Sequence, residues 1–414
     1  MMSTPAWRPI ALQATAMWLA TRVALALLTY VTVIFNGFGN IRIPPGFVSG
    51  QWDLGTLIGS WQRWDAGWFA QIAQQGYTAA DEAAFFPLYP LLIHLGIAVT
   101  GPRYLILVGL IISNLAALIG FIGVALLAAR EEEPGPNPSL PQKGRERGVP
   151  FALRVLAAYP LAFYLGAPYS DALLLAAAAL ALLFARQGRW GLTALAAFLA
   201  ALTRSTAVIL FLPIVWEFGR QHAWWDRDRW RELGPKRLLA WRTWPRAIMV
   251  LGALPFGLAC YAAYLNYRFG RPLLFLQAHA HWNRQAEPVW LTLRHAFGDL
   301  VKVPFGTYWN VLILLDLGAL LIVLVLTVVG ARRQPVAFTL YLAGLIYVCL
   351  AAPNVILPDA LSSVGRVLLV AIPAFLLVSR WMRRWPALDL LIVSAGFMLQ
   401  AALATFFLSG GWVE

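Results

Sequence analysis

The stretch Tyr104–Ala129 reads YLILVGLIISNLAALIGFIGVALLAA, 26 residues without a charge and with Ser113 and Asn114 as its interior polar pair. A helix needs about 20 apolar residues to cross a bilayer, so this run is long enough to do so unaided. Working outward from it, comparable runs occupy Ile10–Phe35, Ala247–Tyr267, and the neighbourhoods of 307–330, 336–352, 366–380 and 387–408. The whole chain carries the same signature, with 60% hydrophobic and 12% charged residues over 414 positions and a mean hydropathy of +0.68. Soluble domains carry roughly a quarter charged residues, and no stretch long enough to form a separate soluble domain recovers that fraction here. The expected fold is an all-α polytopic membrane protein forming a single unit over 1–414, with about 11 transmembrane helices.

Several runs are interrupted. Phe86–Val99 is too short for a full span and opens on Phe-Phe-Pro-Leu-Tyr-Pro, which suits an interfacial or re-entrant helix. Phe151–Ala167 and Ala172–Ala185 are split by Pro168-Tyr169-Ser170-Asp171, and Trp190–Phe218 breaks at Thr203-Arg204-Ser205 into two short helices. Two long mixed loops, about 36–85 and 269–305, a polar linker at Glu131–Pro150 and a basic loop at about 219–246 complete the layout.

The net charge of +13 would point to nucleic acid in a soluble protein. Here the basic residues gather between apolar runs, which excludes nucleic acid as the partner and assigns orientation instead. With the N-terminus cytoplasmic and Phe86–Val99 not crossing, 20 Lys and Arg fall inside and 10 outside, including eight in the basic loop. Both long loops, Asp171 and Arg204 then share the outer face. Cys260 and Cys349 lie in apolar runs and offer neither a disulfide framework nor zinc spacing.

Charged residues at membrane depth are costly and mark sites or pathways. In Trp61-Gln62-Arg63-Trp64-Asp65-Ala66-Gly67-Trp68-Phe69 the aromatics recur every three or four residues, so they share a helical face suited to the membrane interface. Asp65 stands beside that face, where a carboxylate can act as general base toward a hydroxyl; the plainer alternative is an interfacial helix whose acid pairs with Arg63. Glu82 precedes the Phe-Phe-Pro piece, within plausible reach of Asp65. Asp171 opens a helix, a position that capping alone would favour. Arg204 requires an anionic partner or a lipid phosphate, and Arg366, after Ser362-Ser363-Val364-Gly365, follows the same logic. His279, His281 and Arg284 form a cluster suited to phosphate or sugar; two histidines at i, i+2 without a carboxylate do not complete a metal site. Arg22, inside the first span, has no evident partner.

These segments in their order resemble the PIG-V family, the GPI mannosyltransferase II group, and especially its bacterial relatives. The resemblance is carried by Arg63-Trp64-Asp65-Ala66-Gly67-Trp68 with Gly76-Tyr77, Ala84-Phe85-Phe86-Pro87-Leu88-Tyr89-Pro90, Ser113-Asn114-Leu115-Ala116 and Tyr169-Ser170-Asp171. Leu202-Thr203-Arg204-Ser205, Gln277 to Arg284 and Ser363 to Arg366 continue it. The family often has Glu where Asp171 stands, follows its Thr-Arg differently from Ser205-Thr206-Ala207, and commonly has Tyr in place of Val367. What the resemblance implies is the GT-C fold of membrane glycosyltransferases, with an essential acid in the first outer loop and a polyprenyl-phosphate sugar, commonly mannose, as donor. It implies inversion at the anomeric centre, Asp65 as catalytic base and Glu82 as a supporting acid, with Arg63, Trp64, Glu82, Asp171, Arg204, His279, His281, Arg284 and Arg366 as substrate or phosphate contacts. No obligatory metal and no cofactor are expected, because fixed guanidinium groups can stabilise a departing phosphate. The partners expected are the lipid-linked donor, membrane lipids, and a glycolipid, glycan or protein hydroxyl as acceptor. The 29 arginines against three lysines lean toward a bacterial plasma membrane rather than an endoplasmic reticulum. The rival is a multi-span transporter or lipid flippase without covalent chemistry, whose functional charges would sit near the bilayer midplane.

Overall fold

The computed structural model describes residues 7–36, 54–131, 149–225 and 244–413. The Glu131–Pro150 linker and the basic loop therefore fall largely outside the described residues, as does the first part of the 36–85 loop. Within the rest, the elements are helices in the order α1 (Trp7–Asn36), α2 (Leu54–Gly59), α3 (Asp65–Gln75), α4 (Leu88–Thr100), α5 (Leu105–Glu131), α6 (Val149–Ala157), α7 (Asp171–Arg186), α8 (Trp190–Ala201) and α9 (Phe211–Gln221). There follow α10 (Trp244–Phe269), α11 (Leu274–His281), α12 (Val289–Lys302), α13 (Tyr308–Gly330), α14 (Val336–Ala351), α15 (Val364–Val367), α16 (Ile372–Met382) and α17 (Pro386–Leu408).

Among the described residues five helices, α1, α5, α10, α13 and α17, are long and apolar enough to cross a membrane alone. A sixth crossing arises if the segment Val364–Val370 and α16, bent by 77° at their junction, count as one span. The chain is an integral membrane protein, as its composition requires. The remaining apolar runs make shorter or broken helices, and each interruption has a local cause. Pro160 ends α6 after nine residues, and the chain continues through a 3₁₀ turn at Ala162–Leu165. Arg204 is extended, at φ −158° and ψ 152°, between α8 and the 3₁₀ turn Ser205–Leu210, so the break expected at Thr203-Arg204-Ser205 is present. The 269–305 stretch, read as a polar loop, holds the short α11 and the amphipathic α12 instead.

The core forms around α7. Twelve of its 16 residues are buried, and its length of about 24 Å at 1.5 Å per residue is less than a hydrocarbon core of about 30 Å. Alanines along it let neighbours approach closely, as small residues do between membrane helices. A Cβ added to Gly123 on α5 would lie 3.0 Å from the Ala179 Cβ, and one on Gly120 would lie 3.1 Å from Leu175. Each end of α7 is tied by charge. At its C-terminal end Arg186 Nε donates to Glu131 at 2.7 Å and Nη1 to the buried Glu217 at 3.3 Å, while Arg220 pairs with Glu217 from within α9. The N-terminal end holds Asp171.

The α5–α7 contact sets an expectation for stability. Gly123→Leu overfills a close contact and should destabilise by about 1–3 kcal/mol, read as a lowered melting temperature in detergent. Gly191→Ala, with nothing within 4 Å of its added Cβ, serves as the matched control and should melt like the parent.

Candidate active site

The aromatic face beside Asp65 packs mainly into protein. Phe69 meets Phe85 and Tyr89 at 5.2 and 4.9 Å between ring centroids, and Trp68 stacks on Phe85 at 5.8 Å. The shared interfacial face expected from the spacing is not formed: Trp61 and Trp64 precede α3, and the partner of Trp68 and Phe69 is largely the 85–89 segment rather than the membrane interface. Trp64 is the exception, 46% exposed, with its ring 6.3 Å from Trp412. It takes φ 46° and ψ −113° immediately before α3, an unfavourable backbone for an indole residue and the kind of strain that functional sites retain.

That turn aims Asp65 at Arg366. Arg366 Nη1 lies 2.7 Å from Asp65 Oδ2, and Nη2 lies 2.9 Å from Asp171 Oδ2. Arg366 Nε also donates to the same Asp171 oxygen at 3.0 Å. On its other side Asp171 accepts from Arg204 Nη1 at 2.6 Å through Oδ1. Four residues from four separate segments thus form one chain of charge, Asp65–Arg366–Asp171–Arg204. Asp171 and Arg366 are buried, whereas the side chains of Asp65 and Arg204 are 22% and 24% exposed and form the open ends. The rings of Tyr169 and Tyr164 lie 4.4 and 5.0 Å from the Arg366 guanidinium carbon, so cation–π attraction adds to the ion pairs.

Each member is held from behind. The Tyr169 hydroxyl donates to the Arg63 carbonyl at 2.8 Å, tying the α7 entrance to the α3 entrance. Ser113 donates to the Tyr169 carbonyl at 2.9 Å and shares a second contact with the buried Tyr89 hydroxyl. Gly365, next to Arg366, is clasped on both sides: its N–H donates to Asp316 Oδ1 at 2.5 Å, and its carbonyl accepts from the Tyr159 hydroxyl at 2.6 Å. A Cβ at Gly365 would stand 2.8 Å from that Asp316 oxygen, so the approach needs glycine. Ser363, at φ 70°, supplies the left-handed turn before it.

The other residues singled out in the sequence take different places. Arg63 does not pair with Asp65; its Nη2 donates to the Leu408 carbonyl at 2.8 Å, anchoring the end of α17. Glu82 is fully buried and accepts from Gln71 Nε2, the Thr78 hydroxyl and the backbone N–H groups of Thr78 and Ala79 at 2.5–3.1 Å. It closes its own loop and is not a member of the charge chain. Arg284 donates to the Ala352 and Ser362 carbonyls at 3.1 and 2.6 Å, bracing the turn that carries Arg366. His279 lies in the field of Arg284 and Arg204; burial and those two charges lower its pKa to about 4, so it is neutral at pH 7. His281 is exposed.

Asp316 and Asp359 escaped the sequence reading, although a lone aspartate inside the apolar run Val311–Leu321 is the signal that marks one of them. Asp359 accepts from the Leu361 N–H at 2.9 Å. Burial and the charge of Asp299 push its pKa up to about 6, against a partial offset from the Leu361 N–H and Arg284. Its carboxyl also meets that of Asp316.

These features define a membrane-embedded all-α protein with a partly buried acid–arginine site formed by distant segments. Residues 19–211, a little under half of the chain, match the family model described as mannosyltransferase (PIG-V). The matched stretch contains Asp65, Asp171 and Arg204; Arg366 lies beyond it and joins them in space. No curated protein and no solved structure matches the chain.

Two outcomes follow from this geometry. Asp171→Ala leaves Arg366 and Arg204 without their shared acid, and removing one partner of a buried pair costs about 3–5 kcal/mol. A thermal melt should show that loss, with Arg204→Ala adding less in the Asp171→Ala background than alone. For Asp359 the folded pKa, about 6, exceeds the ordinary carboxylate value of 3.8. Its protonated form is favoured on folding, so the stability it contributes is full below pH 4 and lost as pH rises through 6. Asp359→Asn should therefore gain stability relative to the parent above pH 7 and match it near pH 4, as read by pH-dependent melting.

Proposed function

We propose that this chain is a membrane glycosyltransferase that moves a sugar, most readily mannose, from a polyprenyl-phosphate donor to a hydroxyl acceptor, with inversion. The acceptor is a glycolipid, glycan or protein hydroxyl at the outer face of a bacterial plasma membrane. The observation that carries the reading is the Asp65–Arg366 contact: a partly exposed carboxylate held at one edge by a guanidinium that is itself anchored on buried Asp171.

In this reading Asp65 is the general base. Arg366 grips Oδ2 and so fixes the plane of the carboxylate, while Oδ1 has no partner among the described residues and faces the acceptor. The acceptor hydroxyl passes its proton to Asp65 as its oxygen bonds to the anomeric carbon. The bond from that carbon to the phosphate oxygen breaks, and the lipid phosphate leaves with the electron pair. One displacement inverts the centre. Positioning supplies most of the rate, because a lipid phosphate is already a competent leaving group. Arg204, at the open far end of the charge chain, and neutral His279 beside it form the wall on which sugar hydroxyls or phosphate oxygens rest. Trp64, next to Asp65 and against Trp412, offers an apolar ring face for a pyranose.

Asp65→Asn keeps the size and a polar contact for Arg366 but cannot accept the proton. Transfer from a mannosyl-phosphoryl polyprenol should fall by roughly 10²–10⁴ in kcat, measured with radiolabelled sugar on protein that melts like the parent. Undiminished transfer by that variant would remove Asp65 from the reaction.

A further inference from the structure

Arg22 lies inside α1, and the site described above does not use it. An arginine in a transmembrane helix is costly unless it meets an anion or a wet cavity. The fold nevertheless makes room for this one. A Cβ at Gly166 would collide with Arg22 Nη1, while Gly166 itself takes φ −101° and ψ −19°, a conformation open to any residue. The glycine therefore serves the guanidinium rather than the turn. Among the described residues none receives the charge: Nε and Nη1 are shut in without an acceptor, and so is Trp18 Nε1, one helical turn earlier on the same face. The residue as a whole is half-buried.

Its depth is that of the reaction site. Asn114 Nδ2 donates to the Gly166 carbonyl at 3.3 Å, and the adjacent Ser113 donates to the carbonyl of Tyr169, two residues before Asp171. Arg22 and the charge chain thus flank the same 166–171 turn. The charge balance supplies the remaining argument. Asp65, Asp171, Arg204 and Arg366 sum to zero, and both arginines already hold carboxylates. A lipid-linked sugar phosphate brings one negative charge and gains a second as the sugar departs, so its phosphate requires a cation that is not neutralised by an acid.

We propose that Arg22, seated against Gly166, binds the phosphate of the isoprenoid lipid, with the tail running along α1. This rests on the transferase reading and assigns to the first span the anchoring that the sequence alone suggested for Arg204 and Arg366. The test is direct binding of a short-chain polyprenyl phosphate to the purified full chain in detergent, by native mass spectrometry. The unmodified chain should bind it. Arg22→Gln should weaken binding roughly ten- to a hundredfold, the range expected for a lost charged hydrogen bond. Gly166→Ala, which keeps the charge but fills its seat, should do the same and carries the test if Arg22→Gln fails to fold. Gly191→Ala, whose added Cβ meets nothing within 4 Å, should bind like the parent. Inorganic phosphate and phosphatidylglycerol are run as competitors, and both should compete poorly; displacement by either as readily as by the prenyl phosphate would overturn the isoprenoid assignment. Equal affinity in the parent, Arg22→Gln and Gly166→Ala overturns the proposal while leaving the transferase reading intact. No binding even by the parent overturns both.

Discussion

Asp171 is buried at the start of α7 with both carboxylate oxygens engaged, one by Arg204 and the other by Arg366. A carboxylate in that position is tolerable only with such partners, because its desolvation would otherwise cost several kcal/mol. The N-terminus of α7 adds the favourable end of a helix dipole. Satisfying this one acid brings the break between α8 and α9 and the turn before α16 to the same point. Arg366 then has a guanidinium edge to spare, and that edge receives Asp65 from the start of α3. The geometry of the exposed acid is inherited from the burial of the hidden one.

The short and broken helices acquire a purpose in this arrangement. A full-length α7 would carry Asp171 to the membrane surface, where arginines would meet water and anions instead of one another. At 16 residues it stops short, and the Ala162–Leu165 turn, the extended Arg204 and the bend before α16 fill the space above it. The opposite end of α7 carries the Glu131–Arg186–Glu217–Arg220 cluster, in which the acids and bases compensate one another near the start of the basic loop. Membrane-depth charge here sits in two layers, one at each end of a single core helix.

The sequence displayed much of this, and what it concealed has physical reasons. The long spans were legible because 20 or more apolar residues admit few alternatives. The break at Arg204 was legible because an arginine interrupts an otherwise continuous run. Asp65, Asp171, Arg204 and Arg366 could each be singled out by charge at the end of an apolar segment, but their pairing is a property of tertiary packing. Asp65 meets Arg366, some 300 positions away, rather than Arg63 beside it. Glu82 looked like a second acid for the site, yet four local donors consume it, and local side-chain-to-backbone bonding leaves no periodic signature. Asp316 did have a signal, a single acid within an apolar run, which becomes intelligible only once Gly365 is seen to donate to it.

The most direct measurement is a structure of the full chain with a polyprenyl-phosphate sugar bound. The sugar should lie between Asp65 and Arg204, its anomeric carbon turned toward the free edge of Asp65, and the phosphate beside the 166–171 turn. Lipid phosphate at the other end of α7, among Glu131, Arg186 and Glu217, with no ligand at the Asp65–Arg366 pair, would contradict this placement.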